Sequence, residues 1–568
     1  MKLSYRACAG AVLALGASAA FAGVACEPVA AGEVFISNIT SPGKISPTDG
    51  TCWVNNLKLP THDGLKLVAN VFLPKITSPN QKFPTIIMVN SWVCPDWEYI
   101  GQAQRLARDG YIVLEYASRG WWGSEGEVRV AAPEDIQDVT SIFDWMSANL
   151  PMDTNNVGIS GISYGAGISL LGAAREPRIK TVAAFSGWSN LEDELYPQDT
   201  PNKSNVNLLV GVAPLGGRLS AEVSTLSSEL LNPDTSEQRA NEIRAWARLR
   251  SPLQELSKYN QRKVPVFLSK NYSDEMFTPN SSMVLFTQLQ GPKKLLLNRG
   301  WHATAEALGA LTGIGNHPYD QAHRWFDYWL KGIDNGIMNE PQIDMAVGNS
   351  FARETLAGWP DASVKSQTLY IAPRGEQRLD LGCFCIKGNT GSLSTTRDTS
   401  SATDTISSKN DTVATTGVPV VSDVLAGITG LNPVAYVPFV TRGNGVVYNG
   451  PKLSSALKIR GIPKIKLNLK PSGSQAQVVA YLYDVDALGM GTLITHGARS
   501  LHWATPGETV EFPIDMHFMS YNVAKGHHLA LVLDTKDPHY SAASNSVFSD
   551  SFLFNYNLVS TLTVPYIN

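Results

Sequence analysis

Charge is in short supply in this chain: 17% of its 568 residues are charged and the formal net charge is −4. With no block of lysine and arginine to break that balance, there is no electrostatic footprint for nucleic acid. Membrane-spanning length is lacking too. The apolar stretch from Ala7 to Phe21 is shorter than the ~20 residues a spanning helix needs. Cysteine is sparse, six in all, and the Cys383-x-Cys385 pair has no second close pair to complete a zinc-type spacing. No H-E-x-x-H occurs, and His527-His528 adjoin a strand with no acidic ligand set nearby. Neither a metal nor an organic cofactor is therefore expected.

What is present begins with a leader. Lys2 and Arg6 precede the small, apolar run, and Ala20-Phe21-Ala22 supplies the residues a signal peptidase reads, so residues 1–22 are expected to be removed before Gly23. The product would be secreted or periplasmic. Cys26 leaves lipoprotein anchoring as a minor alternative, because Ala22-Gly23-Val24-Ala25 lacks the usual leucine-like residue upstream. Removing the leader leaves five cysteines. Cys26 with Cys52, or Cys383 with Cys385, are candidate disulfides, and one of the five must stay unpaired within a monomer.

Residues 23–56 read as an irregular lead-in. From Leu57 a hairpin turns at His62-Asp63-Gly64 into an alternating strand to Leu73. Pro84 to Asn90 and Tyr111 to Tyr116 are near-continuous apolar strands, the kind a parallel sheet buries on both faces. Between them Gln102 to Asp109 is helical, and Pro133 to Asn149 carries Ile136, Val139, Ile142, Phe143 and Met146 at helical spacing. Strands follow at Val157–Ile159, Val182–Phe185, Val264–Ser269 and Lys293–Asn298, the last expected for this sheet, with a closing helix over 321–331. This rhythm predicts an α/β fold over 57–340. Polar, helix-prone sequence at about 190–260 interrupts it and is expected to form a cap. Beyond 340, short alternating runs at Gln367–Ile371, Lys464–Leu469, Ala476–Leu482 and Leu529–Leu533 predict an all-β sandwich over 341–568. The polar stretch from Gly388 to Thr416 is expected to be a surface excursion.

The chemistry concentrates at Gly161-Ile162-Ser163-Tyr164-Gly165, a G-x-S-x-G pattern between a strand and a helix. Alone it is weak, since a chain this rich in glycine should contain one by chance roughly a third of the time. The plain alternative is a glycine-rich turn whose serine caps the helix. A nucleophilic serine also needs a base and an orienting carboxylate, each in a loop after a later strand. Asp274 follows the strand ending at Ser269 and His302 follows the strand ending at Asn298. Ser163 is thus the expected nucleophile, His302 the general base and then acid, and Asp274 the group that fixes the imidazole tautomer. Glu275 competes for the carboxylate role but needs a different loop path. The Tyr164 main-chain N–H is the expected first oxyanion donor. The second should come from Ser91 or Trp92, with Trp92 favoured through its backbone or indole N–H.

Several of these segments together resemble a known family. Arg119-Gly120 with Gly123-Ser124-Glu125-Gly126, GISYG at 161–165, Asp274, Trp301-His302 and the run from Trp325 to Asp334 resemble the CocE/NonD serine hydrolases, related to the X-Pro dipeptidyl-peptidases. The resemblance covers Leu57 to the C-terminus. It implies an α/β-hydrolase core, a helical cap and a C-terminal jelly-roll domain, with Ser163, Asp274 and His302 as the catalytic set. It also implies activities such as X-Pro dipeptidyl-peptidase, cocaine esterase, glutaryl-7-aminocephalosporanic acid acylase or α-amino acid ester hydrolase. Two departures stand out: Trp92 sits where the family often has a tyrosine hydroxyl, and Ala117-Ser118 precede Arg119 where an acid is usual. Arg119 is expected to tie loops together.

The expected reaction is acyl transfer from an ester, an amide or an X-Pro dipeptidyl bond to water, through an acyl-enzyme. The substrate is a small ester or amide or a short peptide. An X-Pro peptidase would need anionic groups for a free substrate amine, for which Glu192, Asp193 and Glu194 are the candidates, with solvated surface acids as the plain alternative. The rival class is an inactive hydrolase-like binding protein that recognises peptide or glycan through its β domain.

Overall fold

The computed structural model describes residues 44–45, 51–78, 80–375, 389–418, 422 and 432–568. The expected leader and Cys26, Cys383 and Cys385 lie outside the described residues. Cys52 is disulfide-bonded and Cys94 is not.

The catalytic-side sheet begins with β1 (Lys44–Ile45), β2 (Cys52–Pro60), β3 (Lys66–Leu73), β4 (Phe83–Val89) and β5 (Ile112–Tyr116). It continues with β6 (Met152–Ile162), β7 (Thr181–Phe185), β8 (Val266–Asn271), β9 (Lys293–Asn298), β10 (Ile343–Ala346) and β11 (Arg353–Leu356). Their spatial order is β1-β2-β3-β5-β4-β6-β7-β8-β9-β10-β11. From β5 to β10 neighbouring strands are parallel, while β1 to β3 and β11 add antiparallel edges. β4 lies between β5 and β6, so successive crossovers leave it on opposite sides. Such a reversal opens a crevice at the carboxyl ends of the strands.

Local sequence explains the helices that cover this sheet. Pro133–Asn149 starts with proline in its first turn and with the Asp135 carboxylate accepting the Ala132 N–H at 2.8 Å. Its apolar stripe at Ile136, Val139, Ile142, Phe143 and Met146 is buried. The closing helix, His317–Lys331, starts a turn before the expected Gln321 because the Asn316 side chain accepts the Tyr319 N–H at 3.0 Å. From it the fully buried Trp325 donates its indole N–H to Thr181 Oγ1 at 2.8 Å, pinning the helix to β7.

Three expectations need correction. The sheet does not end at Asn298: β10 adds in parallel to β9 and β11 folds back on β10, since the apolar edge of β9 needs a covering partner. Regular structure is present inside the expected irregular lead-in, in β1 and again from Cys52, where a bulge between Val54 and Leu57 lets β2 continue past the break in alternation. Part of the polar stretch from 388 to 416 is strand as well, at Gly391–Ser394 and Ala402–Ser407, paired to strands far away in sequence.

Helices Leu191–Leu195, Lys203–Val212, Ala221–Leu230 and Glu237–Leu249 fill the interval between β7 and β8. The C-terminal part is β-rich. Its strand Ala476–Val485 is buried at all 10 positions, between antiparallel partners Met490–Leu501 and His528–Asp534. This domain braces the helical interval: the Gln198 amide donates to the Asp515 carbonyl at 2.8 Å and accepts the Asp515 N–H at 2.7 Å.

At the centre, Gly161 and Gly165 let β6, its following helix and β4 touch. A Cβ on Gly165 would lie 2.0 Å from the Val89 carbonyl oxygen, and one on Gly161 would lie 2.5 Å from the Gly165 carbonyl carbon. Gly165→Ala is expected to lower stability by about 1–3 kcal/mol or more, read as a lower denaturant midpoint, with a parallel loss of fluorophosphonate labelling.

Candidate active site

Ser163 sits at the turn between β6 and helix Tyr164–Arg175 with φ 56° and ψ −117°, a conformation a non-glycine residue adopts only when its surroundings hold it there. Its N–H donates to the Phe185 carbonyl at 2.8 Å, which fastens the turn to the end of β7. The strained turn lifts the side chain off the sheet into the crevice.

There it meets a histidine 139 positions away in sequence: His302 Nε2 lies 2.7 Å from Ser163 Oγ. On the opposite edge of the ring, His302 Nδ1 is 3.0 Å from both Asp274 carboxylate oxygens. With Nδ1–H donating to Asp274, Nε2 is left to accept the serine proton. Asp274 is fully buried, and its Oδ1 accepts the Met276 and Phe277 N–H groups at 3.1 and 3.0 Å. Burial alone would raise its pKa, but His302, Lys270 and the Phe277 amide outweigh that and hold it below the usual carboxylate range. Loops after β6, β8 and β9 thus bring the three expected residues onto one hydrogen-bonded line.

The expected oxyanion donors divide. The Trp92 indole N–H donates to the Leu209 carbonyl at 2.9 Å, so the indole is not available. Its ring is also wedged edge-on against Trp121 and Tyr164, at 4.7 and 5.4 Å between centroids. The indole option is therefore ruled out, which leaves the backbone one as the candidate. Neither the Trp92 nor the Tyr164 main-chain N–H has an acceptor among the described residues. Both residues line the same cavity as Ser163.

That cavity lies between Ser163 and the helical interval. Val206, Leu209, Leu226 and Trp246 descend from the helices, while Trp188 and Phe277 rise from the core. No charged side chain lines it. Glu192, Asp193 and Glu194 do not reach it. Glu192 is bound by Arg248 and lies 3.8 Å from Arg244. Glu194 is buried and accepts the Thr278 N–H at 2.8 Å together with the Ser281 hydroxyl. Arg119 ties loops together, donating to Asp138 at 2.5 and 2.6 Å and to Asp63 at 2.5 and 2.9 Å.

Sequence reasoning missed two groups. Lys270 is buried under Asp274, donating to the Gly187 and Phe277 carbonyls at 2.9 and 2.6 Å and lying 3.4 Å from Asp274 Oδ2. A lysine at the end of a buried strand, four residues before the acid, was the available signal. Glu275 is the other. It points to His496 of the β-rich domain at 2.8 Å, and a partner 221 positions away leaves no local trace.

Burial pushes the Glu194 carboxyl up to about 8 from 4.5. The folded chain holds a proton there that the unfolded chain releases, so this contribution is full below about pH 4.5 and is lost as pH rises through about 8. Glu194→Gln, which resembles the protonated acid, is expected to gain thermal midpoint over the wild type progressively across that window. Parallel melting curves from pH 4 to 9 check it.

Both parts of the chain are similar to known proteins. Residues 63–304 match the family profile described as X-Pro dipeptidyl-peptidase (S15 family), and residues 335–551 match the X-Pro dipeptidyl-peptidase C-terminal non-catalytic domain. A putative Xaa-Pro dipeptidyl-peptidase of Bacillus anthracis is 24% identical over 476 residues, covering 76% of this chain and 70% of its own. The cocaine esterase of a Rhodococcus species is 21% identical over 563 residues, covering 87% and 92%. The crystal structure of a CocE/NonD family hydrolase from Staphylococcus aureus superposes with a TM-score of 0.68 at 13% identity, covering 91% of this chain and 94% of that one. With its catalytic α/β part and its β-rich part each matching in turn, the chain belongs to the S15 family of X-Pro dipeptidyl-peptidases and CocE/NonD-type hydrolases, and is a serine-hydrolase-type enzyme.

Proposed function

We propose that this enzyme hydrolyses esters of apolar acyl groups through an acyl-enzyme, with Ser163 as nucleophile, His302 as general base and acid, and Asp274 as the group that orients and stabilises the imidazole. One observation carries the reading: the Ser163–His302–Asp274 line opens into a cavity whose walls are apolar and uncharged. His302 Nε2 takes the Ser163 proton as Oγ attacks the acyl carbon. The tetrahedral oxyanion is met by the Tyr164 and Trp92 main-chain N–H groups, and the imidazolium returns its proton to the departing alcohol. Water then attacks the acyl-enzyme with His302 again as base, releasing the acid and restoring the serine.

The relatives' names include both an Xaa-Pro dipeptidyl-peptidase and a cocaine esterase. The apolar lining favours the ester side. An X-Pro dipeptide carries a free ammonium, but Glu192 is paired with Arg248, Glu194 is buried against Thr278, Asp193 is exposed, and none of the three lines the cavity. Leaving that charge unpaired in an apolar site costs roughly 3–5 kcal/mol. Export is supported by the leader-like segment from Lys2 to Ala22 and by the disulfide-bonded Cys52. Among the described residues no helix is long and apolar enough to cross a membrane.

Two measurements test this reading. Ser163→Ala should lower kcat/KM for p-nitrophenyl esters by about 10⁴–10⁶-fold and abolish fluorophosphonate labelling. For the wild type, butyryl to octanoyl aryl esters should exceed Ala-Pro and Gly-Pro anilides in kcat/KM by roughly 100-fold or more. Preference for the dipeptide anilides would overturn the substrate assignment, and an unlabelled Ser163 would overturn the mechanism.

A further inference from the structure

The loop after β8 faces two ways. Asp274 turns to His302, while the next residue, Glu275, enters the seam with the β-rich domain. There Glu275 Oε1 is 2.8 Å from His496 Nε2 and Oε2 is 3.5 Å from His517 Nδ1. One ligand-competent atom from each of the three residues lies within 4.8 Å of the others. His496 belongs to strand Met490–Leu501, and His517 donates its backbone N–H to the His496 carbonyl at 2.9 Å, so the two imidazoles hang from one backbone junction.

A simple ion pair leaves this cluster incomplete. His517 is 7% exposed, yet its Nδ1 has no hydrogen-bond partner, the carboxylate being too far for a satisfied bond. A dication with nitrogen and oxygen ligands at ~2.0–2.2 Å would satisfy both imidazole nitrogens and the carboxylate together. For such bonds a tetrahedral arrangement separates ligand atoms by roughly 3.3–3.5 Å. The observed 2.8 and 3.5 Å, to the two carboxylate oxygens, and the 4.8 Å limit on the three ligand atoms bracket that spacing.

Two more features fit. His496 Nδ1 lies 3.2 Å from the Tyr540 hydroxyl, an outer partner of the kind that holds a ligating imidazole with its other nitrogen toward the metal. Tyr272, Ser273 and Met519 help to line a small cavity that also touches all three cluster residues, with room for a water as a fourth ligand. Two imidazoles among three protein ligands disfavour magnesium and calcium, which seek oxygen.

We propose that Glu275, His496 and His517 bind a divalent transition-metal ion of the zinc type, which staples the Asp274 loop to the β-rich domain. The ion touches no reacting atom. Its place is structural, holding the loop that carries Asp274 against a domain more than 200 residues further along the chain.

The test uses the tag-free full-length protein, stripped with chelator and titrated with Co²⁺ and then Zn²⁺. One equivalent of Co²⁺ should bind with visible d–d absorption of a four- or five-coordinate nitrogen–oxygen site, and Zn²⁺ should bleach it. His517→Gln should weaken binding by at least about 100-fold, Tyr540→Phe by about 10-fold, and His317→Gln, a half-exposed histidine elsewhere, not at all. Absence of a one-equivalent Co²⁺ spectrum in the wild type overturns the proposal without recourse to any variant. So does binding that survives His517→Gln at full affinity. If His517→Gln does not fold, Glu275→Gln is read in its place and should show the same loss.

Discussion

Everything at the candidate site depends on one close approach, that of the Gly165 backbone to the Val89 carbonyl at the end of the neighbouring strand. Because no side chain intervenes, the helix after β6 starts against the sheet and Ser163 is forced into a left-handed conformation. The Phe185 carbonyl holds the other side of the turn by accepting the Ser163 N–H. The same approach leaves the Tyr164 N–H at a helix start, with no intrahelical acceptor. One steric condition thus sets the Ser163 side chain and the Tyr164 N–H together.

The surroundings divide by polarity. Beneath Ser163, buried polar groups are paired: Asp274 with His302 and Lys270, and Glu306 with Ser269 and Asn271. Above it the helical interval presents almost only aliphatic and aromatic groups, and its charged residues pair with one another on the outer side, as Glu192 does with Arg248. Paired polar groups and apolar surface therefore belong to different layers. A buried carboxylate that stays ionised strengthens an imidazolium beside it, whereas an uncharged cavity penalises a charged substrate.

Adjacent acids in one loop serve two structural ends. Asp274 is oriented by its own turn, through the Met276 and Phe277 amides, and faces the histidine of the hydrolase core. Glu275 faces His496 and His517 across the seam. Asn280 adds to that seam, donating to the Met516 carbonyl at 2.8 Å and accepting the Phe518 N–H at 2.7 Å. The β-rich domain is thereby coupled to the loop that carries Asp274.

Much of this was legible along the chain because the rules involved are local. Strand–helix alternation, glycines flanking a serine, and an acid and a histidine each just past a predicted strand together specified the α/β class and singled out Ser163, Asp274 and His302, which the fold brings within hydrogen-bond distance. Periodicity could not reveal β10 and β11, short strands whose sheet membership depends on an exposed neighbour. It could not say that the Trp92 indole is already bonded to Leu209, that Glu194 is buried away from the cavity, or that Glu275 meets two histidines more than 200 positions away. Hydrophobic pattern and turn chemistry act over a few residues, so the sequence by itself determined the order and type of elements and which residues follow each strand. Which polar groups are already paired, and which face open space, is set by contacts between segments distant in the chain, and only the tertiary structure decided those.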